Sequence, residues 1–216
     1  LVLESLVPAL RARLAGESLP AHVRDVDAGG LSRVNLIDAT PIGVNVRSTV
    51  ATYSGVLDEL RRAFARTEEA QVAGLKPGAF SYNTGSLRCP TCDGTGQITL
   101  DVQFLPDVDI ECTECRGSRY GAQAASIRRD GLSLPDIMAM SVDEARVAVR
   151  GLKKAGALLE TLSGLGLGYL TLGEATPALS GGEAQRLKLA SEMGRRQDGT
   201  LFVFDEPTIG LHPDDV

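Results

Sequence analysis

Apolar residues return at helical intervals in some stretches of this chain and alternate or cluster in others. Leu3, Leu6, Val7, Leu10 and Leu14 share one face of a helix expected over residues 1–14, with Pro8 a place for a kink. The polar stretch Gly16–Gly30 reads as a loop and Leu31–Leu36 as a short strand. Asp38–Val50 has no period and holds Pro41 and Gly43, so it reads as loop. The spacing then predicts a helix over Thr52–Arg66 with Val56, Leu57, Leu60 and Phe64 inward. Arg61, Arg62 and Arg66 lie opposite and read as a solvated face in preference to a nucleic-acid contact. Gly74–Asn83 reads as turn and short strand. Gln97–Phe104 alternates through Ile98, Leu100, Val102 and Phe104, which predicts a strand with one buried face. Leu105-Pro106-Asp107 would turn it back into a strand over Val108–Glu111. Ser126–Asp130 reads as short strand or loop. Short helices follow over Leu134–Met140, over Val142–Val149 with a Ser141/Glu144 capping box, and over Leu152–Leu162, before the Gly-rich stretch Gly164–Gly173.

The pattern sharpens at the C-terminal end. Leu179-Ser180-Gly181-Gly182-Glu183-Ala184-Gln185 is a Gly-rich turn opening an amphipathic helix, with Leu187, Leu189, Ala190 and Met193 at helical spacing. Ser180 and Glu183 form a capping box. Such a start offers backbone N–H groups and partial positive charge to a phosphate, and glycines let it approach closely. Leu201–Phe204 reads as a short buried strand ending in two carboxylates, Asp205 and Glu206. At that place an Asp holds magnesium, and an adjacent acid orients or deprotonates the attacking water. Pro207 breaks the strand, and Thr208–His212 forms a tight loop. Either signal alone reads as an ordinary cap or a solvated turn; in this order they point to nucleotide hydrolysis.

Cys89, Cys92, Cys112 and Cys115 form two CxxC pairs separated by nineteen residues. That spacing brings four thiolates round one zinc ion, and a full shell leaves no open position for water, so the site is structural. The competing readings are unligated or paired thiols, and the CxxCxGxG repeat of J-domain co-chaperones, which Cys89–Gly96 fits but Arg119 breaks. Gly94, Gly96 and Gly117 are expected to turn backbone amides toward the sulfurs. This cysteine usage suits a reducing, cytoplasmic setting rather than a secreted disulfide framework.

Composition narrows the classes. At 216 residues and 43% hydrophobic the chain can bury a core, and no apolar run approaches the ~20 residues of a membrane span. No signal peptide is read in Leu1–Leu14, and a chain opening at Leu is expected to be a piece of a larger protein. A net charge of −6 excludes nucleic-acid binding by bulk charge but not by a local basic surface. With no Trp and 4% aromatics, stacking platforms for bases are few.

The C-terminal motifs resemble those of ABC-type ATPases: Leu179–Glu183 the signature motif, Phe204-Asp205-Glu206 the end of Walker B, Thr208–His212 the D-loop. With the CxxC pairs, Pro41-Ile42-Gly43, Ala51–Val56, Gly78–Asn83, Phe104–Asp107, Cys115–Tyr120 and Gly166–Leu170, the chain resembles the UvrA family. These are damage-recognition ATPases of bacterial nucleotide excision repair, with their paralogues, and the likeness is to the second ATPase half. The resemblance implies an α/β fold: an incomplete ABC-type P-loop ATPase core with an inserted α+β signature domain carrying a zinc module. The core would comprise residues 1–36 and 166–216, the signature domain 37–165, and the zinc module about 86–120. No GxxxxGK[ST] phosphate loop occurs in the chain; the family's Walker A would precede Leu1 and its switch histidine follow Val216.

By the same resemblance, Ser180, Gly181 and Gly182, with Glu183 and Gln185, meet ATP held by the opposite ATPase half. Asp205 positions Mg2+, Glu206 is the general base, and Thr208–His212 communicates between sites. Implied partners are DNA, a second ATPase half or protomer and a UvrB-like protein, with no membrane; an excision nuclease system and the SOS response come with them. Arg88, Arg116, Arg119, Arg128 and Arg129 are the candidate phosphate contacts. Two departures stand out. Ala39 replaces the usual glutamine of the Q-loop, and Val44-Asn45-Val46-Arg47 replaces Arg-Thr-Pro-Arg. Both point toward a paralogue and leave open a drug self-resistance or transport ATPase, or a catalytically silent interaction module.

Overall fold

The computed structural model describes residues 1–100, 108–194 and 196–207. The chain forms two compact units, one joining Leu1–Thr40 to the chain from Ser180 onward, the other Pro41–Leu179.

A π-type turn, Val2–Leu6, leads into α1 (Val7–Ala15). Pro8 stands where the π-type turn passes into α1, and without an N–H it cannot donate to the turn before it. Val7, Ala9, Leu10 and Ala12 are buried, but Leu3 and Leu6 are 40% and 42% exposed. The expected apolar face is covered only from Val7 on. β1 (Arg33–Ile37) follows.

The second unit begins with α2 (Val50–Tyr53) and α3 (Val56–Phe64), where the periodicity predicts one helix. Gly55, left-handed at φ +81°, separates them, and Thr49 caps α2 through a reciprocal box with Thr52. Val56, Leu57, Leu60 and Phe64 are buried as expected. After α4 (Glu68–Val72), Pro77–Phe80 is a 3-10 turn rather than a strand. Pro77 carries the fixed φ of a first helical position and no donor for a ladder. β2 (Gln97–Leu100) pairs antiparallel with β3 (Val108–Glu111), Gln97 opposite Glu111. The ribbon does not gain the expected buried face. Only Ile98 is partly covered, while Leu100 is 42% and Val108 48% exposed, since two strands alone have no layer above them. The expected continuation through Val102 and Phe104 and the turn at Leu105-Pro106-Asp107 lie outside the described residues.

Then come α5 (Ala122–Ser126), the small ladder β4 (Arg128–Arg129) and β5 (Leu132–Ser133), and three helices: α6 (Leu134–Met138), α7 (Val142–Ala148) and α8 (Lys153–Leu162). Capping boxes open α6 (Ser133/Asp136) and α7 (Ser141/Glu144). α8 packs on α3 and α7, and the core takes in Val56, Leu60, Phe64, Val142, Leu159 and Leu162. Bridges Thr49↔Ala175 and Ser141↔Thr171 tie the stretch before Ser180 to this unit. The units therefore part at 40–41 and 179–180, whereas the functional boundaries read from the sequence fall at 36–37 and 165–166.

The chain re-enters the first unit with α9 (Gly181–Met193) and β6 (Thr200–Phe204). β6 runs parallel to β1, Arg33 opposite Thr200 and Ile37 opposite Phe204. Val7, Leu10 and Val34 form the core, with Leu14, Val26, Leu201 and Val203 against it. β6 is half-buried rather than buried, and Phe204 is 45% exposed: among the described residues it has one neighbouring strand. Met193, expected inward, is 51% exposed at the last position of α9. No helix among the described residues is long and apolar enough to cross a membrane.

Candidate functional site

The start of α9 is built as its residues dictate. Ser180 is extended (φ −62°, ψ 162°), and its Oγ accepts the Glu183 N–H. The Glu183 carboxylate accepts the Ser180 N–H at 2.7 Å. Glu183 thus serves the cap, and the Gly181 and Gly182 amides belong to the first turn, where N–H groups have no intrahelical partner. A Cβ on Gly181 would stand 3.2 Å from both Cβ and the carbonyl oxygen of Ala39.

Gln185, set against ATP by the resemblance, turns inward instead. It is 4% exposed, and its Nε2 donates to the carbonyls of Ile37 (3.1 Å) and Asp205 (2.6 Å). The Asp205 N–H donates to the same Ile37 carbonyl at 3.1 Å. Asp205 is half-buried at the end of β6, and Glu206 is exposed with a left-handed backbone, φ +48°. Adjacent carboxylates at the C-terminal end of a parallel strand can hold a divalent cation and polarise a water. Thr208–His212, read as the D-loop, lies outside the described residues.

One residue of this site escaped the sequence reading. Lys188 Nζ donates to the Asp38 carbonyl (3.1 Å), the Asp38 carboxylate, and the carbonyl and hydroxyl of Thr40 (both 2.8 Å). Burial raises the Asp38 pKa, but the bonds from Lys188 and Thr40 outweigh it and hold the carboxyl below its ordinary range. The available signal was spacing: Gly181, Gln185 and Lys188 stand at i, i+4 and i+7, one face of a helix.

The four cysteines converge in the second unit. All are buried, and their sulfurs lie within 4.8 Å of one another. Cys89 and Cys112 sulfurs are 3.9 Å apart, Cys92 and Cys115 3.6 Å. Four sulfurs around a tetrahedral zinc at ~2.3 Å stand about 3.8 Å apart, so the donor set and its spacing fit zinc. No disulfide joins them. The Gly96 N–H donates to Cys92 Sγ at 3.2 Å. Burial pushes the Cys92 thiol up, but hydrogen bonds from the Gly96 amide, the Cys115 and Cys89 thiols and the Gly94 amide hold it at about 7. Burial carries Cys115 up to about 12. Cys112 N–H bonds the Gly96 carbonyl (3.0 Å), and Thr91 Oγ1 the Glu114 carboxylate (3.1 Å), lacing the two knuckles together.

The arginines read as phosphate contacts separate. Arg119 is 7% exposed; its guanidinium lies 5.2 Å from the Tyr82 ring centroid and donates to the Val46 carbonyl (2.9 Å). It is an internal strut on a left-handed backbone position, φ +71°. Arg88 pairs with Asp93 (2.9 Å), Arg128 bonds the Gly131 carbonyl (2.6 Å), and Arg129 stands 3.6 Å from Asp130. A basic groove of about 650 Å³ lies elsewhere on this unit, lined by Arg62, Arg66, Lys153 and Lys154 against the single acid Glu59.

A parallel α/β unit with a glycine-opened, capped helix and paired strand-end acids belongs with the ABC-type ATPases, and known structures agree. The chain is similar to UvrA2 from Deinococcus radiodurans, with TM-score 0.85 and 41% identity over 97% of this chain and 25% of that one. It is 41% identical to UvrABC system protein A of Helicobacter pylori over 100% of this chain and 24% of the relative. To the protein of that name in Bacillus subtilis it is 46% identical over 86% of this chain and 20% of the relative. The chain belongs to the UvrA family and spans about a quarter of the length of the relatives it matches. No family model matches it.

Proposed function

We propose that the complete protein carrying this chain hydrolyses ATP and uses the cycle to recognise damaged DNA in nucleotide excision repair. The observation that supports this best is the joining of a family-wide likeness to an intact Asp205–Glu206 pair at the end of β6. The unit of Leu1–Thr40 and Ser180 onward is then part of the ATP-binding core, and Pro41–Leu179 the inserted signature domain. Ser180, Gly181 and Gly182 meet the γ-phosphate of ATP held by a second ATPase half or protomer. Asp205 holds Mg2+, Glu206 takes the proton from water, and Cys89, Cys92, Cys112 and Cys115 hold a structural zinc ion. The role belongs to the cytoplasm, with a UvrB-like partner. A drug self-resistance or transport role is not favoured, since the relatives above carry the UvrABC name.

DNA phosphates suit the Arg62, Arg66, Lys153 and Lys154 groove better than Arg119, which is enclosed. The test uses the complete protein. Glu206→Gln is expected to bind ATP near wild type and to hydrolyse it roughly 10²–10⁴-fold more slowly, the range for losing a general base. DNA affinity is expected to fall with salt at a log–log slope of about −4 for four contacts, and Lys153→Ala with Lys154→Ala to reduce that slope by about 2. Full hydrolysis by the Gln variant, or DNA binding indifferent to salt, would overturn the reading.

A further inference from the structure

We propose that Gln185 and Lys188 are positioning residues: one face of α9 fixes the ends of both β1 and β6, and through them the Asp205–Glu206 carboxylates. The inference rests on the ATPase reading above and adds to it the residues that aim the acids.

Gln185 has two amide hydrogens, and both are used. Both acceptors are backbone carbonyls, so the nitrogen must face them, and the side chain cannot flip without losing both bonds. One acceptor ends β1; the other is the carbonyl of Asp205, in the peptide that leads directly to Glu206. Glu206 sits in the left-handed region, which a non-glycine residue keeps only where its surroundings impose it. Asp205, the residue before it, is held at both of its backbone groups, by Gln185 at its carbonyl oxygen and by the Ile37 carbonyl at its N–H.

Lys188 does the same for the loop that leaves β1. Its ammonium reaches four oxygens of Asp38 and Thr40, and the Thr40 hydroxyl donates to Asp38 Oδ1 at 2.6 Å. Ala39 between them has no polar side chain and packs against Gly181 at the helix start. Helix start, loop and strand-end acids are therefore one bonded piece. A shift of α9 moves the carboxylates with it. Substrate affinity is not expected to depend on this grip, because the donors of both side chains are spent on oxygens of Ile37, Asp205, Asp38 and Thr40.

The complete protein is compared with Gln185→Met, which keeps length and burial without donors, with Gln185→Asn, whose amide falls one carbon short, and with Lys188→Met and Lys188→Arg. For both Gln185 variants, kcat is expected to fall about 10–100-fold with KM for ATP within about threefold, as for a misplaced catalytic group. Hydrogen exchange at residues 205–206 is expected to quicken in parallel. Lys188→Met is expected to lower kcat at least about tenfold, and Lys188→Arg, which keeps charge and donors, to restore most of it. Wild-type kcat in Gln185→Met despite faster exchange would overturn the proposal, as would a loss of kcat matched by loss of folded protein in all four variants. A wild-type protein without turnover would overturn the ATPase reading and the positioning role with it; that failure is recognisable because the exchange difference at 205–206 would persist.

Discussion

Gly94 shows how a single backbone position governs the cysteine module. It holds φ +79°, and a Cβ there would lie 1.8 Å from the Tyr82 carbonyl oxygen. The left-handed backbone alone costs an L-residue about 1–2 kcal/mol, and the overlap with a carbonyl cannot be relieved by side-chain rotation. Gly94→Ala is therefore expected to destabilise the chain by at least about 2 kcal/mol, a fall of about 4–8 °C in melting temperature for a protein of this size. A calorimetric melt of residues 1–216 checks it; an unchanged midpoint would mean that the close approach is not made in solution. Arg119 carries the same lesson for a side chain. Its charge suggests a DNA contact, yet its surroundings make it a brace between Tyr82 and Val46.

Among the helices, α6 depends on its cap. At five residues, it is too short to be stable by propagation, and Pro135 with the Ser133/Asp136 box sets its start. The Ser133 N–H, then the Ser133 hydroxyl, hold the Asp136 carboxyl below its ordinary range, with Arg128 adding to them. A carboxyl whose folded pKa is lowered contributes stability above its unfolded value, near 3.9, and loses it as pH falls through the lower folded value. Between about pH 5 and pH 3 the wild type is thus expected to lose more stability than Asp136→Asn, whose curve should be flatter. Ser133→Ala is expected to cost about 1 kcal/mol at neutral pH. Urea unfolding at a series of pH values measures both, and parallel curves for wild type and Asp136→Asn would show that the bond contributes nothing.

Taken as a whole, the chain interrupts one parallel strand pair with an entire second unit. Such an insertion is tolerable because loop-closure entropy grows only slowly with length, and because the second unit draws its own ends together. Thr176 donates its N–H to the Ser48 carbonyl (2.9 Å) and its hydroxyl to that of Ile42 (3.1 Å). Within this unit the cysteines reach beyond their own hairpin. Arg47 bonds Asp93, and Arg119 bonds Val46, so the loop before α2 hangs on the module. One zinc ion per chain is expected by elemental analysis, with a contribution on the order of 10 kcal/mol to folding of the module. Chelation or Cys112→Ser is expected to disorder the β2–β3 hairpin together with residues 45–48, as read by amide exchange. A metal-free chain with both segments still protected would remove zinc from the structure.

Much of this was legible along the chain because it depends on near neighbours. The capping boxes at Ser141 and Ser180, the inward face of α3, and the return of Val108–Glu111 as a strand follow from spacings of two to four residues. The CxxC pairs specify their own turns, so the convergence of four sulfurs was readable as well. Other features depend on what lies opposite in space. Periodicity marks Leu3, Leu6, Leu100 and Met193 as apolar but not whether anything covers them; each is left exposed. The resemblance set Gln185 against ATP, and Lys188 looks like an ordinary polar helix residue; only the parallel pairing of β1 with β6, residues far apart in the chain, brings the oxygens of Ile37, Asp38, Thr40 and Asp205 within their reach. Local bonding chose the elements; long-range packing chose which side chains are spent inside the fold and which stay free for chemistry, because a donor's role is set by the acceptors that tertiary contacts bring to it.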